Sequence, residues 1–276
     1  MATPMTAKQF VTQLKKWKVN YQEYKDWETH NRAGHGAWGP VHGFMWHHTG
    51  SDSDDQRLLL YKGYSNLPGP LCHVGIAQNG TCWLIGWGRA NHAGKGDSDV
   101  LEAVIDERKL PHDDYADIDA NARYYGMEIW YSGSHDMTAK QYETAILVSC
   151  AINDFHGWNE GSELGHGESQ PGKWDPGIRS GEMRNMDKVR ADIATRQAKG
   201  PNWNSKDDNV IDPKKPAPKP QAYRDVWNVD AMAKPRTNND EDNPYWWPET
   251  MLRHAAEQAA EANRKIDKVL KHLGLD

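Results

Sequence analysis

Apolar residues recur along this chain at two spacings, and the switches between them mark its elements. Phe10, Val11, Leu14 and Trp17 lie three and four apart, which is one face of a short amphipathic helix. Just ahead of them, Thr6-Ala-Lys-Gln9 has the form of a capping box, with the Thr6 side chain able to accept from the Gln9 N–H. Met137-Thr-Ala-Lys-Gln141 repeats that solution. The segment it opens, to about His156, is apolar around most of its circumference (Ile146, Leu147, Val148, Cys150, Ile152, Phe155), so it predicts a helix central to the core. Further helices are predicted over 55–61 and 99–109. A last amphipathic one is predicted over 181–197, with Met183, Met186, Val189 and Ile193 on one face.

The intervening apolar runs are shorter and read as strands. Val41 to Thr49 is a buried strand carrying His47 and His48. Successive strand side chains point to opposite faces, so without a bulge only one of the two histidines can serve a given centre. Cys72 to Ala77 and Thr81 to Ile85 flank Gln78-Asn-Gly80, a hairpin signal. Tyr124 to Tyr131 is strongly apolar except for Glu128. A carboxylate in the middle of a buried strand must be paired, protonated or functional, and the residues alone leave a structural salt bridge and a catalytic carboxylate equally open.

Two Gly-rich segments carry side chains able to do chemistry. Gly86 to Gly96 presents Arg89, Asn91 and His92, as a groove-lining loop would. His166-Gly-Glu-Ser-Gln-Pro-Gly-Lys-Trp-Asp-Pro-Gly177 brings an imidazole, an amine and a carboxylate together in a stretch too rich in Gly and Pro for a regular element. His47, Glu128, His166, Lys173 and Asp175 therefore come from separated elements that can meet at one sheet edge. Two imidazoles and a carboxylate form a common catalytic zinc set with one position left open. His30, His35 and His42, in or beside the loop over 30–40, read as ordinary hydrogen-bonded or exposed loop histidines.

Beyond about residue 199 the pattern changes. The reading divides the chain into a catalytic domain over 1–198, a Pro/Lys-rich linker over 199–222 and a C-terminal region over 223–276. Asp212-Pro-Lys-Lys-Pro-Ala-Pro-Lys-Pro220 is extended and semi-rigid by composition. A tail helix is expected from Pro248. Its Leu252, Ala255, Ala259, Ala262, Ile266, Val269 and Leu273 form a short heptad seam, which predicts weak self-association, with wall binding by Trp227, Trp246 and Trp247 as the rival.

Composition narrows the function. A net charge of -6 gives no sequence-wide case for nucleic acid or an anionic membrane. Three cysteines make no even-numbered disulfide framework and suit a reducing cytosol. The first residues lack an apolar run of signal-peptide length, and nothing later approaches a membrane span. If the protein acts outside a cell, another agent is expected to release it. Thirteen Trp beside three Phe tilt the reading slightly toward a protein that handles sugars.

Several ordered motifs carry a resemblance: Trp46-His-His-Thr-Gly50, Leu67-Pro-Gly-Pro-Leu-Cys-His73, Gly88-Arg-Ala-Asn-His-Ala-Gly94, Gly126-Met-Glu-Ile129, and Gly165-His166 followed by Lys173-Trp-Asp-Pro-Gly177. Over residues 6 to 195 the chain resembles the zinc-dependent N-acetylmuramoyl-L-alanine amidases of the amidase type 2 and peptidoglycan-recognition-protein family, and most of all amidase endolysins of phages that infect actinobacteria. The resemblance implies an α/β fold with a central mixed β-sheet flanked by helices. It implies Zn²⁺ held by His47, His166 and Asp175, with Glu128 as general base and Lys173 at the developing oxyanion. Trp87, Asn91, His92 and His73 are implied as wall or substrate contacts, and peptidoglycan as the partner. Some relatives have Cys where Asp175 stands. One branch has Tyr just before the histidine matched by His73, where this chain has Cys72; the branch without that Tyr uses the Glu that Glu128 matches. The same resemblance implies a protein held in the host cytoplasm until a holin releases it to the wall. A non-catalytic peptidoglycan-binding protein and a virion protein with an amidase-like domain are the alternatives.

Overall fold

The sequence places apolar residues on both faces of its central strands, and the fold accordingly buries a sheet between two layers. The computed structural model describes residues 1–203; the Pro/Lys run over 212–220, the tail tryptophans and the 252–273 seam lie outside the described residues. In chain order the elements are α1 (Ala7–Lys16), β1 (Tyr21–Glu23), β2 (Phe44–His48), α2 (Arg57–Lys62), β3 (Val74–Ile76), β4 (Cys82–Leu84), β5 (Lys95–Gly96), α3 (Ser98–Ile105), β6 (Ile118–Asp119), β7 (Tyr125–Ile129), α4 (Ala139–His156), β8 (Glu163–Gly165), β9 (Gly177–Arg179), β10 (Glu182–Met183) and α5 (Met186–Lys199).

The main sheet has six strands in the order β1-β4-β3-β7-β2-β8. Its pairings are parallel except for the β3–β4 hairpin. The expected α/β class with a central mixed sheet is what the chain adopts. Strand alternation then sorts the residues. Phe44, Trp46, Tyr125, Met127, Ile129, Val74 and Ile76 face the largest apolar cluster, which also takes Phe10 and Leu14 of α1, Val148 and Ile152 of α4, and Val189 and Ile193 of α5. The opposite face carries Met45 and Leu164 against Val100, Leu101 and Val104 of α3, and Trp130, just past β7, packs with Leu60 of α2. His47 and Glu128 belong to this second face.

Both capping boxes form. Thr6 Oγ1 accepts from Gln9 N at 3.3 Å and Thr138 Oγ1 accepts from Gln141 N at 3.1 Å, each satisfying one amide that a helix start would otherwise leave unpaired. The 18-residue α4 ends at Gly157, whose φ of 70° is the left-handed C-cap that glycine adopts without strain.

Several elements differ from the sequence expectation. The last helix begins at Met186 rather than 181, because Asn185 caps it through Lys188 N and the preceding residues form the β9–β10 hairpin. The helix expected to reach Lys109 stops at Ile105, where Asp106 caps it and Glu107 turns to a positive φ of 53°. Strands β1 and β8, three residues each, were not predicted; β8 pairs in parallel with β2 and places the chain for His166.

Candidate metal centre

His47 sits near the carboxyl end of β2, where parallel strands commonly present ligand-binding residues. Trp46 pairs with Gly165 of β8, so the residue after each, His47 and His166, leaves the sheet side by side. The loop that follows His166 folds back: Gly167 N–H donates to Asp175 O at 2.9 Å, and Gly177 N–H donates to His48 Nδ1 at 2.9 Å. Tyr131 Oη donates to the Gly177 carbonyl at 2.7 Å, while the Trp174 ring packs on His48 at 4.6 Å. The alternation that turns His48 away from its neighbour thus gives it a different task, anchoring the segment that carries Asp175.

The result is a buried triangle. His47 Nδ1 lies 2.8 Å from Asp175 Oδ2, His166 Nδ1 lies 3.0 Å from the same oxygen, and the two Nδ1 atoms are 3.1 Å apart. Ligand atoms around tetrahedral zinc, at bond lengths of about 2.0 Å, stand about 3.3 Å from one another. The two imidazoles and one carboxylate therefore fit the ion in both chemistry and spacing, and His47, His166 and Asp175 are the group among the described residues able to hold a metal. Burial, reinforced by the neighbouring His166, pushes His47 down to about 4. Burial alone would raise the Asp175 carboxyl, but hydrogen bonds from His166 and His47 outweigh it and hold the group well below the usual carboxylate range. Both directions favour the unprotonated forms that a cation requires.

Glu128 is the register partner of His47 across β7 and β2, so the two side chains rise from one face. Glu128 Oε2 is sealed from solvent and has no hydrogen-bond partner. Burial first and the Asp175 charge second raise its carboxyl well above the ordinary value, with the Lys173 charge opposing them. Its surroundings include no paired cation bonded to it, so the salt-bridge alternative lacks a partner among the described residues. Lys173, Asn91 and His92 join Glu128 and the three donors around one cleft of about 250 Å³.

Two residues expected on that wall are elsewhere. Trp87 is 5% exposed, stacks on Phe10 at 4.4 Å and donates through Nε1 to the Met5 carbonyl; it belongs to the core. His73 is 1% exposed. Its Nδ1 accepts from Gly126 N–H at 2.9 Å, so Nε2 carries the proton and donates to the Gly88 carbonyl at 2.8 Å. Both nitrogens are occupied, which makes His73 a tie between β7 and the loop at Gly88. Sequence reasoning missed Gln170, whose Oε1 lies 3.1 Å from His166 Nε2, and the apolar rim of Tyr64 and Leu67. Spacing could have indicated Gln170, since it stands four residues after His166 in a single helical turn.

A family model described as N-acetylmuramoyl-L-alanine amidase matches residues 37–178, just over half of the chain. That span holds every residue of the cleft. This chain belongs to the N-acetylmuramoyl-L-alanine amidase family. Among solved structures it is similar to the endolysin amidase LysCS from Clostridium intestinale, with 15% identity, coverage of 63% of this chain and 94% of that one, and a TM-score of 0.40. AmpD is similar at 16% identity, with coverage of 64% and 96% and a TM-score of 0.43. Human PGRP-IβC, solved with a glycosamyl muramyl pentapeptide, is similar at 13% identity, with coverage of 60% and 99% and a TM-score of 0.35. Among curated protein sequences nothing matches. Within the family frame, no helix among the described residues is long and apolar enough to cross a membrane.

Proposed function

We propose that this chain is a zinc-dependent N-acetylmuramoyl-L-alanine amidase that degrades peptidoglycan in the manner of a phage endolysin, reaching the wall from the host cytoplasm through a holin. The observation that carries the reading is the convergence of His47, His166 and Asp175 beside Glu128 in one cleft. The bond concerned is the amide between the lactyl group of N-acetylmuramic acid and L-alanine. Water oxygen bonds to the carbonyl carbon, the carbon–nitrogen bond breaks, and a proton passes from the water to the departing amine.

His47 Nδ1, His166 Nδ1 and Asp175 Oδ2 would hold the zinc, which when bound supplies Lewis acidity that brings the pKa of water toward about 7 and polarises a carbonyl. Glu128 takes the proton through its carboxylate and returns it to the amine. An unpartnered carboxylate with a raised affinity for protons suits that transfer better than an ordinary surface glutamate. The Lys173 ammonium faces the charge that develops on the carbonyl oxygen, a contribution on the order of 3 kcal/mol for a single well-placed donor. The apolar rim at Tyr64 and Leu67 gives the cleft a face for the less polar parts of glycan and stem peptide.

The experiment is digestion of purified peptidoglycan by the full chain, with chelator and with zinc restored, followed by mass analysis of the fragments. Stem peptides with a free L-alanine amine, released only when zinc is present, are expected. Wall binding with no amine released under either condition would make the protein a binding module instead.

A further inference from the structure

The parallel ladder between β2 and β8 ends at Trp46 and Gly165, and β8 is the outermost strand on that side of the sheet. His166 therefore stands one residue past the last pairing. β2, by contrast, runs on beside β7 through His47 and His48. One histidine of the triangle is fixed by the sheet, and the other needs a second support.

That support comes from beyond residue 178, where the match to the family model stops. Met186, Val189 and Ile193 turn one face of α5 into the core. Arg190 follows Val189, and its side chain is only 15% exposed. Its guanidinium forks onto Glu168: Nη1 donates to Oε2 at 3.0 Å and Nη2 donates to Oε1 at 2.8 Å. Nη1 also donates to the Glu163 carbonyl at 3.0 Å, at the start of β8. Glu168 Oε2 in turn accepts from the Gly165 amide at 3.0 Å, so Glu168 closes the turn across His166. A planar fork fixes a carboxylate in both position and angle, as a flexible ammonium would not. Two neighbours complete the support. A Cβ on Gly165 or Gly167 would lie 3.1 or 2.7 Å from Met183 Sδ, so the sulfur packs against the residues on both sides of His166. Arg184 N–H donates to the Pro176 carbonyl at 2.8 Å, next to Asp175.

We infer that Arg190 is a positioning residue: through Glu168 it holds the turn that presents His166 and so sets the spacing of the donor triangle. The inference rests on the metal reading of the proposed function for its purpose, while the brace itself belongs to the metal-free chain. Supports around metal-bound histidines typically contribute about 10- to 100-fold in affinity. Arg190 reaches His166 through one intermediate, so the lower end of that range is expected.

The test uses the full chain as wild type, Arg190→Met, Glu168→Gln and the double variant. Competition with a chromogenic chelator reads zinc affinity, and amide hydrogen exchange of the zinc-free protein reads the turn. Each single variant should weaken zinc about 10-fold. The double variant should be no weaker than either, because both changes remove the same contact. In the single variants the Gly165 and Gly167 amides should exchange faster, while that of Leu101 in α3, which donates to the Asp97 carbonyl at 3.1 Å, keeps its wild-type protection. Unchanged zinc affinity in both single variants would overturn the inference. So would a loss of protection shared by Leu101, the mark of a general weakening of the fold. Glu168→Gln is nearly isosteric and reports even if the Arg190→Met protein does not fold. A wild type that binds no zinc, with Gly165 and Gly167 still freed in the variants, would sink the metal reading and support the brace.

Discussion

His47 and Glu128 are directly paired residues of adjacent parallel strands. One is a member of the donor triangle and the other is a carboxylate whose Oε2 has no hydrogen-bond partner. Their relation is fixed by sheet register, where a slip of one residue would turn either side chain to the opposite face. The candidate donor and the carboxylate beside it are thus placed by backbone pairing rather than by flexible loops.

Replacement of Glu128 by Gln separates those two roles. Glu128→Gln keeps the shape of the side chain and removes its proton affinity. Amide hydrolysis should fall by about 10²- to 10⁴-fold, the usual contribution of a general base, while zinc affinity stays within about threefold of wild type, a margin well below the 10-fold loss typical of even an outer metal partner. Steady-state kinetics and chelator competition on the same preparation check both.

Lys173 is predicted to act on the rate more than on binding. Lys173→Ala should lower kcat by about 10²-fold, corresponding to roughly 3 kcal/mol, with KM changed far less. A kinetic comparison on a soluble muramoyl-peptide reads the split, and an equal loss carried by KM would assign Lys173 to substrate binding.

Asp97 holds the fold on the α3 side. It is fully buried; Oδ1 accepts from the amides of Asp99 and Val100, and Oδ2 accepts from those of Asp114 and Tyr115 at 2.8 Å each. Asp97→Ala removes a helix cap and strands several amides. A loss of about 3 kcal/mol is expected, read as a lower denaturant midpoint with an unchanged slope.

Glu163 gives the stability a pH dependence of known sign. Its Oε2 accepts from Trp46 Nε1 at 2.8 Å and from Ser149 Oγ at 2.7 Å, yet burial, opposed by these bonds, still raises the carboxyl from 4.5 to about 7. The folded state therefore binds the proton more tightly than the unfolded state. The associated stability is fully present below pH 4.5 and is lost as pH rises through about 7. Glu163→Gln, which cannot ionise, should lack this component. Its stability relative to wild type should grow across that window by up to about 3 kcal/mol, measured by denaturation at a series of pH values.

The convergence of His47, His166 and Asp175 as a group able to hold a metal was legible in the sequence because few side chains suit that chemistry and all three stand in recognisable local motifs. The two capping boxes likewise set the starts of α1 and α4, since their partners are three residues apart and need no tertiary information. What depends on distant contacts was not legible. Trp87 stands in the Gly-rich 86–96 segment that reads as a groove-lining loop, and His73, in the predicted strand over 72–77, is placed on the wall only by the resemblance, yet both are buried by elements far along the chain, Phe10 and Gly126 among them. Strand β8 is only Glu-Leu-Gly, with no β-branched residue, and its pairing is supplied by β2. Gln170 carried only its four-residue spacing from His166, which gained meaning once the turn between them proved helical.

The most direct test of the metal-dependent reaction is amine release from purified peptidoglycan, measured as zinc is titrated into the metal-free full chain. Release should rise in proportion to added zinc and level off at about one equivalent per chain, as a single three-donor site requires, with Asp175→Ala flat throughout. Full release before any zinc is added, or an Asp175→Ala protein that follows the wild-type curve, would contradict it.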